Sequence, residues 1–488
     1  MVDLKSDVEV FQRVFVSVVL IMLSVHLSAR VCIPVSEERT PLGYNLDETV
    51  FSTHERVFVV RHCFDLQGRI VCVPGGIKLV FRGGCFVNGV FEIDGAPLTV
   101  SNPRGGVIFD HVYFRRPVEH GYQDRCCVGV CSDSWFKSSS DDDMLNMACA
   151  FDGVILTREK YYLYQHNVDG KEVYPSSYRL LEKSFSIESS LKSGSSLQTA
   201  GQITIIRQNM YGKNEDLSLS LKNITIEAKG YSYDSDAYES EREFNKCFFG
   251  GALNNFNHKF CLLIADCHFK GIFQLMQWNC YNDGLVVDIQ NSSFYCGGMA
   301  IEIYNGDEFR NLSLKAKNSS FCSYRDYALS FVAVESDSCF DSCRIDGMEL
   351  YHKGDIRFES CLIRKYLTHS GPLIEGRVHV NDSVLQHGDR VYDSLICTFN
   401  GFSQLSISDS RFLLGKDVLK KVSSLSNPVL LNFQRCHDIA VTDCLFETDG
   451  DVTDLEGKHM TLFWGDGSEK LIRRKGLKIS DELVSLVK

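Results

Sequence analysis

Residues that stop helices are scarce in this chain, with nine prolines among 488 residues. No two cysteines stand in C-x-x-C spacing, which argues against a structural zinc site, and no cofactor is expected. There is no basic surplus. The formal net charge is −12, whereas a general nucleic-acid binder needs a basic face to displace counterions from phosphates, so no nucleic-acid partner is expected. Membrane-spanning length is missing too: the apolar run Val14–Leu23 has ten residues, where a transmembrane helix needs about 20.

A run of that length matches a signal-peptide core, and Ala29 supplies a small residue for cleavage. Lys5 and Arg13 are outweighed by Asp3, Asp7 and Glu9, although export signals usually begin positive. Residues 1–31 therefore read as a signal peptide or as an N-terminal apolar segment. The expected location is extracellular, cell-surface or periplasmic. The basic residues Lys470, Arg473, Arg474, Lys475 and Lys478 read as a solvated tail.

Glycine (37), phenylalanine (32) and tyrosine (20) are plentiful, which leans towards strands joined by turns. From about residue 217 one pattern recurs, as in Val287–Phe294 (VDIQNSSF), Leu314–Phe321 (LKAKNSSF), Leu405–Phe412 (LSISDSRF) and Ile439–Phe446 (IAVTDCLF). Apolar residues occupy positions one and three, then position eight. A straight strand cannot change parity in this way, because a one-residue slip sends every side chain to the other face. A corner at position five can, and Asn and Asp tolerate the left-handed backbone that a corner needs.

The corner residues are Asn223, Asp266, Asn291, Asn318, Ser342, Ser360, Asp382, Asp409 and Asp443, most of them 22–27 residues apart. Each unit lacks a core of its own and must stack on its neighbours. Stacking predicts an inward column at position six (Cys267, Ser292, Ser319, Cys343, Cys361, Ser383, Ser410, Cys444) and a Phe/Leu/Ile column at position eight. Cysteine in that column reads as packing. The sequons at Asn223, Asn291 and Asn318 coincide with corners, so the repeat accounts for them; Asn311 and Asn381 complete the set of five. The expected fold is all-β, a single-stranded parallel β-helix (β-solenoid).

An earlier stretch is more specific. Phe64–Phe91 (FDLQGRIVCVPGGIKLVFRGGCFVNGVF) and Gly106–Phe114 (GVIFDHVYF) resemble the opening coils of secreted bacterial proteins in the pectate-lyase-like superfamily of right-handed parallel β-helices. The resemblance is specific over residues 58–115, generic over 217–447, and covers about two-thirds of the chain. It implies the right-handed form of the fold. The expected organisation is a cap and first coils over 32–115, irregular coils with long loops over 116–215, and regular coils over 216–465. A C-terminal tail with a short capping helix follows over 466–488. The loops include Ser138–Asp143 and the acidic Tyr231–Glu243; Ser480 can cap the last helix.

The superfamily resembled includes polysaccharide lyases and glycoside hydrolases, phage tailspikes and surface proteins without known activity. Fold does not choose among them. The polygalacturonase-type signature, which combines N-T-D, D-D and G-H-G motifs, is absent, as is a calcium-and-arginine set of the pectate-lyase type. Glu335, Lys353 and Glu375 each stand seven residues before a corner, so they are candidates for a stacked catalytic row. Carboxylates two coils apart would be about 9–10 Å apart, near the upper limit for an inverting acid/base pair. An exposed Glu–Lys–Glu ladder that keeps the edge soluble is the structural alternative. Glu302, Glu349, Tyr304, Tyr351, His352 and His369 are candidate substrate contacts, the tyrosines by stacking on sugar rings. Recurrent Gly-Asp pairs, Gly354-Asp355 among them, read as turns rather than metal sites. The expected function is a polysaccharide- or cell-surface-glycan-binding or -degrading protein. The alternatives are a non-catalytic adhesion protein and a tailspike-like trimer.

Overall fold

The computed structural model describes residues 57–117, 126–163, 183–199, 216–228, 249–252, 259–271, 275–279, 284–305, 309–324, 327–369, 376–386, 396–415, 418, 429–449, 460–465 and 472–484. The expected leader over 1–31 and the acidic segment Tyr231–Glu243 lie outside them. The protein is all-β, built mostly of parallel strands, and divides into two compact units, Met1–Val112 and Tyr113–Lys488. Among the described residues no helix is long and apolar enough to cross a membrane.

In the first unit, Val57–Val60 pairs with Lys78–Phe81, which pairs with Leu98–Ser101. Cys63–Asp65 and Ile70–Pro74 both pair with the long strand Cys85–Asp94, which turns between them at Asn88, φ 56°. The turn lets both halves send aromatic rings inward. Phe86 meets Phe64, Phe81 and Phe91 at 5.7, 5.8 and 4.9 Å between centroids.

In the second unit the repeat lays its strands on three parallel ladders. The first runs through Leu217–Lys222, Lys259–Ala265, Gly284–Gln290 and Arg310–Lys317, and continues to Ile472–Lys475. The second follows the corner, through His268–Gly271, Ser293–Cys296 and Ser320–Ser323. The third carries Met276–Asn279, Ile301–Tyr304 and the opening residues of Leu329–Asp341.

All nine corner residues have positive φ, between 45° and 55°. They stand in single file: the Asn291 N–H donates to the Lys317 carbonyl, that of Asn318 to Asp341, that of Asp382 to Ser408 and that of Asp409 to Thr442. Side chains extend the file. The Asn318 amide donates to Asn291 Oδ1 (3.2 Å), whose own amide donates to Asp266 Oδ1 (3.1 Å). Ser342, where only the second half of the motif is recognisable, is a full corner at φ 55°.

The position-six column does more than pack. Ser292, Ser319, Ser383 and Ser410 each donate a hydroxyl hydrogen bond to the carbonyl two residues back, at 2.7–2.8 Å. Each also accepts the buried backbone N–H of the preceding coil's column residue, at 3.0–3.1 Å. Cysteine follows the serine pattern as donor, Cys267 and Cys361 reaching the Ala265 and Glu359 carbonyls, two residues back, at 3.2 and 3.3 Å. Ser319→Ala is therefore expected to cost about 1–3 kcal/mol, because it strands the buried N–H of Ser292. Urea denaturation checks it; a change within about 0.5 kcal/mol, the usual range for a surface substitution, would show that the hydroxyl carries no link.

Beside this column the phenylalanines stack face to face. Phe269–Phe294 and Phe294–Phe321 lie 4.7 and 5.1 Å apart with interplanar angles of 6° and 12°, and Phe412–Phe446 lies at 4.5 Å.

Three local expectations are corrected. Asp141–Ala148 is a helix rather than part of a loop: Ser140 accepts the Asp143 N–H, three aspartates occupy the first turn, and Met144, Leu145, Met147 and Ala148 are buried. The basic run is exposed, as expected, but it is not a tail. Ile472–Lys475 is the last strand of the first ladder, with Arg473 2.6 Å from Asp438 and Arg474 over the Phe463 ring; Lys470 lies outside the described residues. Gly354-Asp355 is not a turn but lies within Arg344–Glu359, where a Cβ on Gly354 (φ 79°) would collide with the Ser336 carbonyl. The short C-terminal helix is present as Asp481–Val484, with Leu483 fully buried.

Candidate functional site

The third ladder presents two outward columns. One contains Gln277, Glu302, Ser330 and Glu349 on successive rungs. The other, two residues further along each strand, contains Tyr304, Val332 and Tyr351. Between them Ile303, Phe331 and Leu350 turn inward and are buried, which sets the outward direction of both columns. Rungs are about 4.8 Å apart and the columns about 7 Å apart. Glu302 and Glu349 therefore flank Ser330 with about 10 Å between their strands. Ser330 is buried and donates to Glu349 Oε2 at 3.1 Å, which holds that carboxylate in place. Tyr304 is 41% exposed, the more open of the two tyrosines.

At the end of these strands the chain bends at Ala333, φ 56°, and the register shifts between Val332 and Val334. Glu335 and Lys353 then pair on adjacent rungs, both exposed. Glu375 lies outside the described residues. The Lys353 ammonium sits 4.6 Å from the Phe309 ring centroid, and Phe309 meets Tyr351 edge-on at 5.0 Å. Lys353 thus caps an aromatic pair, a cation–π arrangement.

His352 does not face solvent. Its strand alternates regularly from Leu350 to Lys353, which turns it inward, where it is fully buried, with Nε2 3.4 Å from the Arg377 carbonyl. A Cβ on Gly376 would lie 2.9 Å from its ring, so the absent side chain at 376 makes room for the imidazole. It is a core residue and is withdrawn as a surface contact. His369 ends the strand Leu362–His369, opposite Leu350; its side chain lies outside what is described.

A second polar cluster lies on the first ladder. Arg377 grips Asp355 with both arms, Nε at 2.6 Å and Nη2 at 2.8 Å. His379 Nε2 lies 3.4 Å from the same carboxylate, and its Nδ1 lies 2.7 Å from Ser406 Oγ. The next pair, Arg357 with Asp337, repeats the motif one rung back. The Arg377 guanidinium holds the Asp355 carboxyl at about 2, against an ordinary 3.8.

A depressed carboxyl stabilises the fold above its unfolded pKa, and that contribution disappears as pH falls through the folded one. The stability gap between the wild type and Asp355→Asn is therefore expected to close as pH falls from about 4 to about 2. Urea midpoints across that range check it; a constant gap would mean that the ion pair contributes nothing.

Asp355, Arg377 and Phe309 escaped the sequence reading. The first two were within reach, because Asp337, Asp355, Arg377, Gln404 and Asp438 all stand five residues before a corner. Phe309 just precedes the strand Arg310–Lys317 and follows no periodicity. Among the described residues no group of three or more His, Cys, Asp or Glu could hold a metal ion. No family model, curated protein or solved structure matches the chain.

Proposed function

We propose that the three ladders wind as a right-handed β-solenoid of the pectate-lyase-like type, and that an extended polysaccharide lies across the third-ladder face. Right-handed winding is supported by the general rule for parallel crossovers. The observation that carries the functional reading is the tyrosine column beside the Glu302–Ser330–Glu349 column, in register on successive rungs. Flat rings offer stacking surface, and the neighbouring polar groups orient a hydroxylated chain. If the glycan is cut, Glu302 and Glu349 are better placed as acid and base than Glu335 and Lys353. About 10 Å between strands is near the inverting separation of about 6.5–9.5 Å, and far from the retaining 5–5.5 Å. The Cys63–Cys85 disulfide is consistent with export to an oxidising compartment.

A non-catalytic adhesion protein is the second reading. It is favoured by the paired charges Asp337–Arg357, Asp355–Arg377 and Asp438–Arg473, which tie neighbouring rungs of the first ladder together as in a stiff spacer.

The test is affinity electrophoresis of the purified protein in gels containing polyuronates or neutral polysaccharides, with product release followed in parallel. Retardation by one polymer is expected, with Tyr304→Ala and Tyr351→Ala each weakening it about tenfold, or about 1.4 kcal/mol. Product release that Glu349→Gln abolishes, with retardation kept, would assign an enzyme. Retardation without product would assign the binding protein. Migration unchanged in every polymer would end the glycan reading.

A further inference from the structure

The position-six column holds one pair of adjacent thiols. Cys343 and Cys361 occupy successive rungs: Arg344 and Leu362, the residues that follow them, are register partners, and the Leu362 N–H donates to the Cys343 carbonyl at 2.8 Å. Neighbouring rungs bring Cα atoms to about 4.8 Å, inside the roughly 4.4–6.8 Å span that a disulfide bridges. Both side chains point into the same column and are 2% exposed.

The protein already contains one bond of this kind. Cys63 and Cys85 are register partners in a parallel pair, with Cα atoms 4.3 Å apart, and are joined. The position-six neighbours on either side of the thiol pair are serines, Ser319 and Ser383. Adjacent sulfurs therefore occur at this one place in the described column.

We propose that Cys343 and Cys361 form a second disulfide between consecutive rungs when the chain folds in an oxidising compartment. The oxidant is a low-molecular-weight disulfide such as oxidised glutathione. Cys343, as the thiolate, attacks one glutathione sulfur and expels a glutathione thiolate, which takes up a proton. Cys361 then attacks the Cys343 sulfur of the mixed disulfide and expels the second glutathione. Two protein thiols lose two hydrogens, and one oxidised glutathione becomes two reduced ones. Contact with Cys361 pulls the Cys343 thiol down, while the same contact and burial push Cys361 up; the products are the same whichever thiol attacks first. Burial of both sulfurs restricts the exchange to folding or to opening of the coil. The closed rung then keeps the bond from outside reductants.

The experiment uses the full chain made in a disulfide-permissive host. Free thiols are blocked under denaturing conditions, and the unreduced protein is digested with trypsin and read by mass spectrometry. Cleavage after Arg325, Arg344, Arg357 and Arg364 separates the two cysteines. The expected species joins the Cys343 peptide to the Cys361 peptide, at their summed mass less two hydrogens. Cys361→Ser, which puts the residue of the neighbouring rungs into the column, is expected to remove it. Cys339→Ser is expected to leave it, although Cys339 shares the tryptic peptide with Cys343. Full alkylation of Cys343 and Cys361 in a sample where Cys63–Cys85 is joined would overturn the proposal. So would a linked species that Cys339→Ser removes, since it would place the bond on Cys339 instead of Cys343.

Discussion

Phe294→Ala is expected to cost about 3–5 kcal/mol, among the largest losses a single substitution can cause in this protein. Phe294 is fully buried, with its ring between those of Phe269 and Phe321. Removing it takes away apolar burial and opens a void between two rungs that cannot close, because backbone hydrogen bonds set their separation. Phe294→Leu is the control. The equivalent position is Ile226 before Phe269, then Ile345, Ile363 and Leu385 after Phe321, so the column already accepts an aliphatic side chain. Leucine is expected to cost under about 1.5 kcal/mol. Urea denaturation followed by far-UV circular dichroism measures both. Equal losses for alanine and leucine would mean that this place in the column needs the aromatic ring itself and not apolar volume alone.

Asn318→Val is expected to cost about 2–3 kcal/mol. Two causes add: about 1–2 kcal/mol for forcing a β-branched residue to positive φ, and about 1 kcal/mol for the lost amide link to Asn291. Asn318→Gly separates them, because glycine takes the corner conformation freely and loses only the side-chain bond. Its expected cost is about 1 kcal/mol. If valine and glycine destabilise equally, the left-handed corner is not what the asparagine is there to provide.

The two substitutions probe the features most legible from residues alone. The switch of apolar parity at position five called for a corner, and Asn291, Asn318, Asp382 and Asp409 stand in one file at φ 45–49°. The serine and cysteine column was legible as small inward residues. Its hydrogen-bonded role was not, since nothing in a one-dimensional pattern says whose N–H a hydroxyl will meet.

The candidate site was legible only where it follows the corner count. Counting seven back from a corner brought Glu335 and Lys353 to adjacent rungs. The same count said nothing of His352, which alternation between Tyr351 and Lys353 turns into the core, or of Phe309, which Lys353 reaches. Nor could it align Glu302 with Glu349, because the third-ladder strands sit beyond loops of unequal length and have no corner marker of their own.

What the amino-acid sequence determined by itself is the periodic part: parallel strands, left-handed corners at Asn and Asp, and the columns that stacking makes of them. Those follow from local sterics and burial, which recur with every copy of the motif. Tertiary structure alone decided which outward side chains become neighbours, because that depends on how many residues each loop inserts before the next strand pairs. In this way the unpredicted ring of Phe309, just before the strand Arg310–Lys317, came to lie beside Tyr351.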